Sequence, residues 1–145
     1  MKDPRFPELT QRQITILKAY GEVENHPSEA KIFTLGDLQY DFFVVLDGEV
    51  SIEDPYNDNA VIVAHQKNEF TGDSGMLSNR GAQFHAITKG DTSVLRITPK
   101  KLKEAIARHS DISDVLLNAF LLRQETVLTE FTGGIKLVGS GNSKE

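Results

Sequence analysis

The sequence has no cysteine and no tryptophan. Without thiols it has no disulfides, no thiolate metal ligands, no cysteine nucleophile and no dithiol redox chemistry. Basic excess is also lacking. Sixteen lysines and arginines face 21 aspartates and glutamates, a net charge of −5. A nucleic-acid binder ordinarily shows the opposite sign on one face, so no nucleic-acid partner is expected. No long uncharged apolar run occurs, so no membrane span is expected. Met1 to Pro7 carries charge with no apolar stretch after it, which does not read as a signal peptide. The expected location is cytoplasmic. What remains is 145 residues, 39% hydrophobic and 26% charged, enough for one domain with a packed core.

The chain divides by pattern. Met1 to Pro7 is polar, carries two prolines and reads as extended. Thr10 and Gln13 have capping-box spacing, and Leu9 stands where it can staple onto Ile14. Ile14, Leu17 and Tyr20 recur at helical spacing up to Gly21, predicting a helix over 11–20. From about Ala30 the rhythm shortens. Apolar runs at 31–35, 42–46, 49–53, 60–66, 83–88 and 92–98 alternate with turn signals such as Gly36-Asp37, Asp47-Gly48 and Gly90-Asp91. Many short strands at near-even spacing predict an antiparallel β-roll, jelly-roll-like, with flanking helices. Helical pattern returns at Thr98-Pro99, with Leu102, Ala105 and Ile106 on one face. Asp111 then reads as the cap of a last helix, 111–131. That helix is apolar on more than one face, so one face packs on the roll and another needs a partner, most simply a second copy of the chain.

The residues that carry chemistry lie between Phe70 and Ala82. Gly72-Asp73 opens a short helix, and Arg80 follows it with Gly81 and Ala82. Backbone N–H groups at a helix start suit a phosphate, and an arginine adds paired donors. Together with Gly36-Asp37 and the run Phe42 to Val50, this stretch resembles the cyclic nucleotide-binding domain, shared by the catabolite activator protein and the regulatory subunits of cyclic AMP-dependent kinase. The resemblance covers about Phe6 to Phe131. It implies a ligand-sensing regulatory domain and not an enzyme, with no catalytic residues, no metal and no cofactor of its own. The implied ligand is a cyclic nucleotide such as cyclic AMP or cyclic GMP. It implies phosphate contacts from Gly72, Ser74, Gly75, Met76 and Arg80, with Ala82 leaving room beside them. Asp73 would accept from the ribose hydroxyl, and Val61 and Val63 would face sugar and base. A polar side chain of the last helix would cap the base; Arg123, Thr126 and Thr129 are the candidates.

Three departures stand out. Asp73 replaces the family's glutamate, the segment from Gly72 to Arg80 is short, and Gly81 occupies the place of a phosphate-bonding serine or threonine. The alternative reading is therefore a degenerate cassette that serves dimerisation. Residues 132–145, beginning Thr132-Gly133-Gly134, read as a linker and the opening of a further domain. Gly133 to Ser143 also resembles the junction to a thioredoxin-reductase-like flavoprotein, which would bring FAD and NADPH in its own part. Two other classes compete less well. A DNA-binding regulator needs a helix-turn-helix beyond Phe131, and a cupin-type metalloenzyme needs a His-x-His pair that His26, His65, His85 and His109 do not form.

Overall fold

The computed structural model describes residues 2–78 and 80–132, without the side chains of Met76 and of residues 125–132. Helix α1 (Gln11–Leu17) starts at Thr10, whose hydroxyl accepts from Gln13 N–H while the Gln13 side chain accepts from Thr10 N–H. This is the expected capping box, and one turn of 3₁₀ helix (Lys18–Tyr20) completes the segment. Strands follow: β1 (Glu22–His26), β2 (Lys31–Phe33), β3 (Phe42–Asp54), β4 (Ala60–His65) and β5 (Phe70–Thr71). Helix α2 (Asp73–Leu77), strand β6 (His85–Ile97), helix α3 (Pro99–Arg108) and helix α4 (Ser110–Thr132) complete the order. All pairings are antiparallel: β1-β6-β3-β4 in sequence across the sheet, with β2 on β6 and β5 on β3. The expected β-roll with flanking helices is the observed architecture.

Two expected turns are not turns. The runs 42–46 and 49–53 form one strand, β3, and the later pair forms β6. Asp47-Gly48 and Gly90-Asp91 lie within these strands, where the β3–β6 register shifts between Val45 and Glu49. Gly48 has φ +87° there, and a Cβ on it would lie 2.6 Å from the Asp91 carbonyl oxygen. Glycine allows a bulge that bends the pair without breaking it. Strand β1 was not expected at all. Its sequence, Glu-Val-Glu-Asn-His, is polar because neither of its faces is buried; its side chains are exposed or half-buried at the edge of the sheet, beside β6.

The continuous apolar run of β3 has a direct cause. Alternate side chains point to opposite faces of a strand, and both faces of β3 are covered. Phe42 and Val44 join Leu9, Leu17, Leu102 and Leu116 between the sheet and the helices. Phe43, Val45, Val50 and Ile52 fill the roll interior with Phe33 and Val94. Helix α3 begins as expected, with the Thr98 hydroxyl accepting from Lys101 N–H and Pro99 at the first position. Helix α4 begins differently. It starts at Ser110, so Asp111 lies inside the first turn. Its carboxylate accepts from Arg12 at 2.8 Å and Gln13 at 3.3 Å, tying α4 to α1.

Candidate functional site

A cavity of about 380 Å³ lies between the roll, α2 and α4. That is within the range of small-molecule sites, roughly 300–1,000 Å³. Of the expected site residues it is lined by Val61, Val63, Gly72, Asp73, Ser74, Arg80, Gly81, Ala82 and Arg123. Gly75 does not line it. A Cβ on Gly75 would lie 2.7 Å from the Tyr40 carbonyl oxygen, so this glycine lets α2 sit against Tyr40. Its N–H, expected as a phosphate donor, bonds the Gly72 carbonyl at 3.1 Å instead. The side chains of Met76, Thr126 and Thr129 lie outside the described residues.

Gly72 sets the geometry of α2. It precedes the helix with φ +87°, a conformation that favours glycine, and a Cβ there would lie 2.3 Å from the Asp41 carbonyl oxygen. Asp73 is then the first residue of α2, buried at 3% exposure. Its Oδ1 accepts from Arg123 Nη1 at 2.8 Å. Its Oδ2 is buried with no hydrogen-bond partner among the described residues. Arg123 is shared further. It donates to the carbonyls of Arg5 (2.7 Å) and Phe70 (3.1 Å), and its guanidinium lies over the rings of Phe6 and Phe70. Arg80 is exposed and donates to Gln124 Oε1 of α4 at 3.0 Å. Asp73 and Arg80, both expected at the ligand, are thus held to α4.

Gly81 has a local reason. A Cβ there would lie 2.9 Å from the Asp37 carbonyl oxygen, so the 36–37 turn occupies the room a serine or threonine would need. The same turn is locked by Ala82 N–H on Asp37 O and Gly36 N–H on Ala82 O, both 2.8 Å. His85 is half-buried, and its Nδ1 accepts from Leu35 N–H at 2.9 Å.

Among the lining residues that carry no site role in the sequence are Phe6, Tyr40, His65 and Gln124. Burial is the main cause that pushes the Tyr40 hydroxyl up to about 12, with the Asp73 charge adding to it. His65 is 2% exposed and contacts Glu69 at 3.1 Å, which is itself buried and ion-paired with Lys2. Burial holds His65 below its ordinary value, so it is neutral and donates to the carboxylate. Burial alone would raise Glu69, but the hydrogen bonds from His65 and Lys2 outweigh it and hold the carboxyl low. Nothing in residue type marked these four. Tyr40 and His65 acquire their place from strand ends, and Phe6 and Gln124 from tertiary packing.

The family model for the cyclic nucleotide-binding domain matches residues 23–109. The chain belongs to this family. No curated protein matches. Among solved structures, the domain is similar to the protein of "A cyclic-GMP-dependent signalling pathway regulates bacterial phytopathogenesis". That match has TM-score 0.71 and 14% identity over 82% of this chain and 96% of the other. It is similar to the Thermus thermophilus catabolite activator protein, with TM-score 0.69 and 18% identity over 94% of this chain and 63% of the other. It is also similar to the c-di-GMP-responsive global regulator CLP of Xanthomonas campestris, with TM-score 0.69 and 18% identity over 91% and 66%. At these identities the likeness is one of fold. The domain spans less than two thirds of the length of each of these two regulators. No helix among the described residues is long and apolar enough to cross a membrane.

Proposed function

We propose that this domain senses a cyclic nucleotide in the cavity beneath α4 and relays its presence through that helix. One observation carries the reading: Arg80, the cassette arginine, lines the cavity while its guanidinium bonds Gln124 of α4. A phosphodiester on Arg80 competes for the Nη2 donor that Gln124 now uses. The ligand therefore has different affinity for two positions of α4, which is the condition for a signal. The buried Oδ2 of Asp73 is a ready acceptor for a ribose hydroxyl. Val61 and Val63 offer apolar surface to the base. The effector follows α4 beyond Gly133-Gly134. An oxidoreductase of the thioredoxin-reductase-like kind, with FAD and NADPH, is the candidate from the sequence. The neighbours named for cyclic-GMP-dependent signalling and for c-di-GMP response support a cyclic-nucleotide ligand, and both of those named nucleotides carry guanine.

Calorimetry with cyclic AMP and cyclic GMP tests this directly. Binding is expected for at least one of them, and Arg80→Ala should weaken it by at least about a hundredfold, as expected for loss of a bidentate charged contact. Equal binding by wild type and Arg80→Ala would sink the assignment.

A second reading has its own support. Both Arg80 and Asp73 already have partners on α4, in Gln124 and Arg123. A cassette that serves only to hold α4 would look the same. It predicts no thermal shift with either nucleotide and an α4 that loosens on Gln124→Ala.

A further inference from the structure

The segment before α1 is not a free tail. Leu9 N–H donates to Asn68 O at 2.9 Å, and Lys2 pairs with Glu69, so residues 2–9 lie along the turn between β4 and β5. Between these two ends the arm turns inward. Phe6 N–H donates to Asp3 O at 3.0 Å, which directs the Phe6 ring towards His65. The two rings meet edge to face at 5.7 Å. Arg5 and Phe6 both line the cavity described above. Arg123 then closes the arrangement from α4, donating to Arg5 O at 2.7 Å with its guanidinium 5.4 Å from the Phe6 ring.

This Arg123 is the same side chain that neutralises Asp73. One guanidinium therefore bonds α2, the end of β5 and the arm at once, and anything that moves α4 acts on all three. The cavity keeps about 380 Å³ with the arm in place, so the arm bounds the space without filling it. Three attachments of different kinds (an ion pair, a backbone hydrogen bond and an aromatic contact) are more than a disordered leader needs.

We infer that Arg5 and Phe6 of the arm form a wall of the ligand site, with Phe6 in contact with the ligand, and that Arg123 clamps this arm to α4. The inference rests on the sensor reading for the ligand but not for the clamp. A flat aromatic wall beside two guanidinium groups suits a planar heterocycle carried on a phosphate.

The test uses the whole chain with cyclic AMP and cyclic GMP as probes. Phe6→Ala should bind the preferred nucleotide about tenfold more weakly than wild type, as loss of one aromatic contact implies. Phe6 is only half-buried, so this variant keeps the fold. Separately, amide hydrogen exchange at Phe6 and Leu9 should quicken severalfold in Arg123→Lys and in Arg123→Gln, while the amides of β3 stay slow. Unchanged affinity in Phe6→Ala overturns the wall and leaves the sensor reading standing. Wild-type exchange at the arm in both Arg123 variants overturns the clamp. If wild type binds neither nucleotide, the sensor reading and the ligand wall both fall, and the exchange result still decides the clamp.

Discussion

Two residues show how local physics limits what the site tolerates. Gly72 holds φ +87°, and any Cβ there meets backbone 2.3 Å away. The backbone cannot swing aside as a flexible side chain would. Gly72→Ala should therefore cost about 2–4 kcal/mol, combining the positive-φ penalty with the displacement of residues 41–42. Urea unfolding measures this, and a loss under about 1 kcal/mol would show that α2 can reseat. His65 limits the site through pH. Its folded form resists protonation because it is buried, and the unfolded chain accepts the proton near the ordinary value of 6.5. The stability it contributes is complete above that value and is lost as pH falls below it. Glu69 acts in the same direction lower down, since its folded carboxyl lies below the ordinary 4.5. The melting temperature should fall steadily from pH 7 to pH 4. In His65→Asn, which keeps a donor towards Glu69 but does not titrate, the fall from pH 7 to pH 5 should be shallower. Parallel slopes for the two proteins would refute the assignment.

Among elements, the junction of α2 with α4 contains one buried ion pair beside the Gln124–Ser74 contact. The Arg123 and Asp73 side chains are 14% and 4% exposed. Breaking a pair this buried leaves a charge without compensation and costs about 3–5 kcal/mol. Arg123→Ala should therefore destabilise the domain by that order, while Asp73→Asn, which leaves Arg123 its acceptors on Arg5 O and Phe70 O, should cost less. A chemical-denaturation series ranks the two, and the reverse order would mean that the carboxylate is hydrated. This junction also shows which parts of the architecture the sequence discloses. Thr10, Gln13, Thr98 and Pro99 announce their helix starts because a cap is a contact between near neighbours. The cassette from Gly72 to Ala82 is legible for the same reason, since its turn and its arginine lie within one short segment. Strand β1 is hidden, because a strand with neither face buried needs no apolar alternation. Asp111 misleads, because an aspartate that suits a cap also suits a pair with Arg12, 99 positions away. Phe6, His65 and Gln124 reach the cavity only through contacts distant in sequence, and no local pattern encodes those.

At the scale of the whole molecule, α4 has a surface that the single chain leaves unused. Its inner side is spent on the core, where Ile112, Leu116 and Ala119 are fully buried. Leu117 and Leu121 face outward, 39% and 65% exposed. Four residues apart, they lie on one stripe of the helix. A two-fold dimer would pair this stripe with itself, so each leucine is buried twice. Burying a leucine contributes about 1.5–3 kcal/mol. Two symmetry-related copies of Leu121, each 65% exposed, then contribute about 2–4 kcal/mol towards a dimer. Leu121→Glu should weaken the dimer by at least about a hundredfold, because each subunit then carries a carboxylate into the seam. The fold should survive, since the side chain is mostly in solvent within one subunit. Sedimentation equilibrium over a concentration series, with circular dichroism to confirm helix content, separates the outcomes. A wild-type monomer at every concentration would remove the seam. A dimer untouched by Leu121→Glu would move it elsewhere, with exposed Val61 and Ile62 of β4 the next apolar surface to charge.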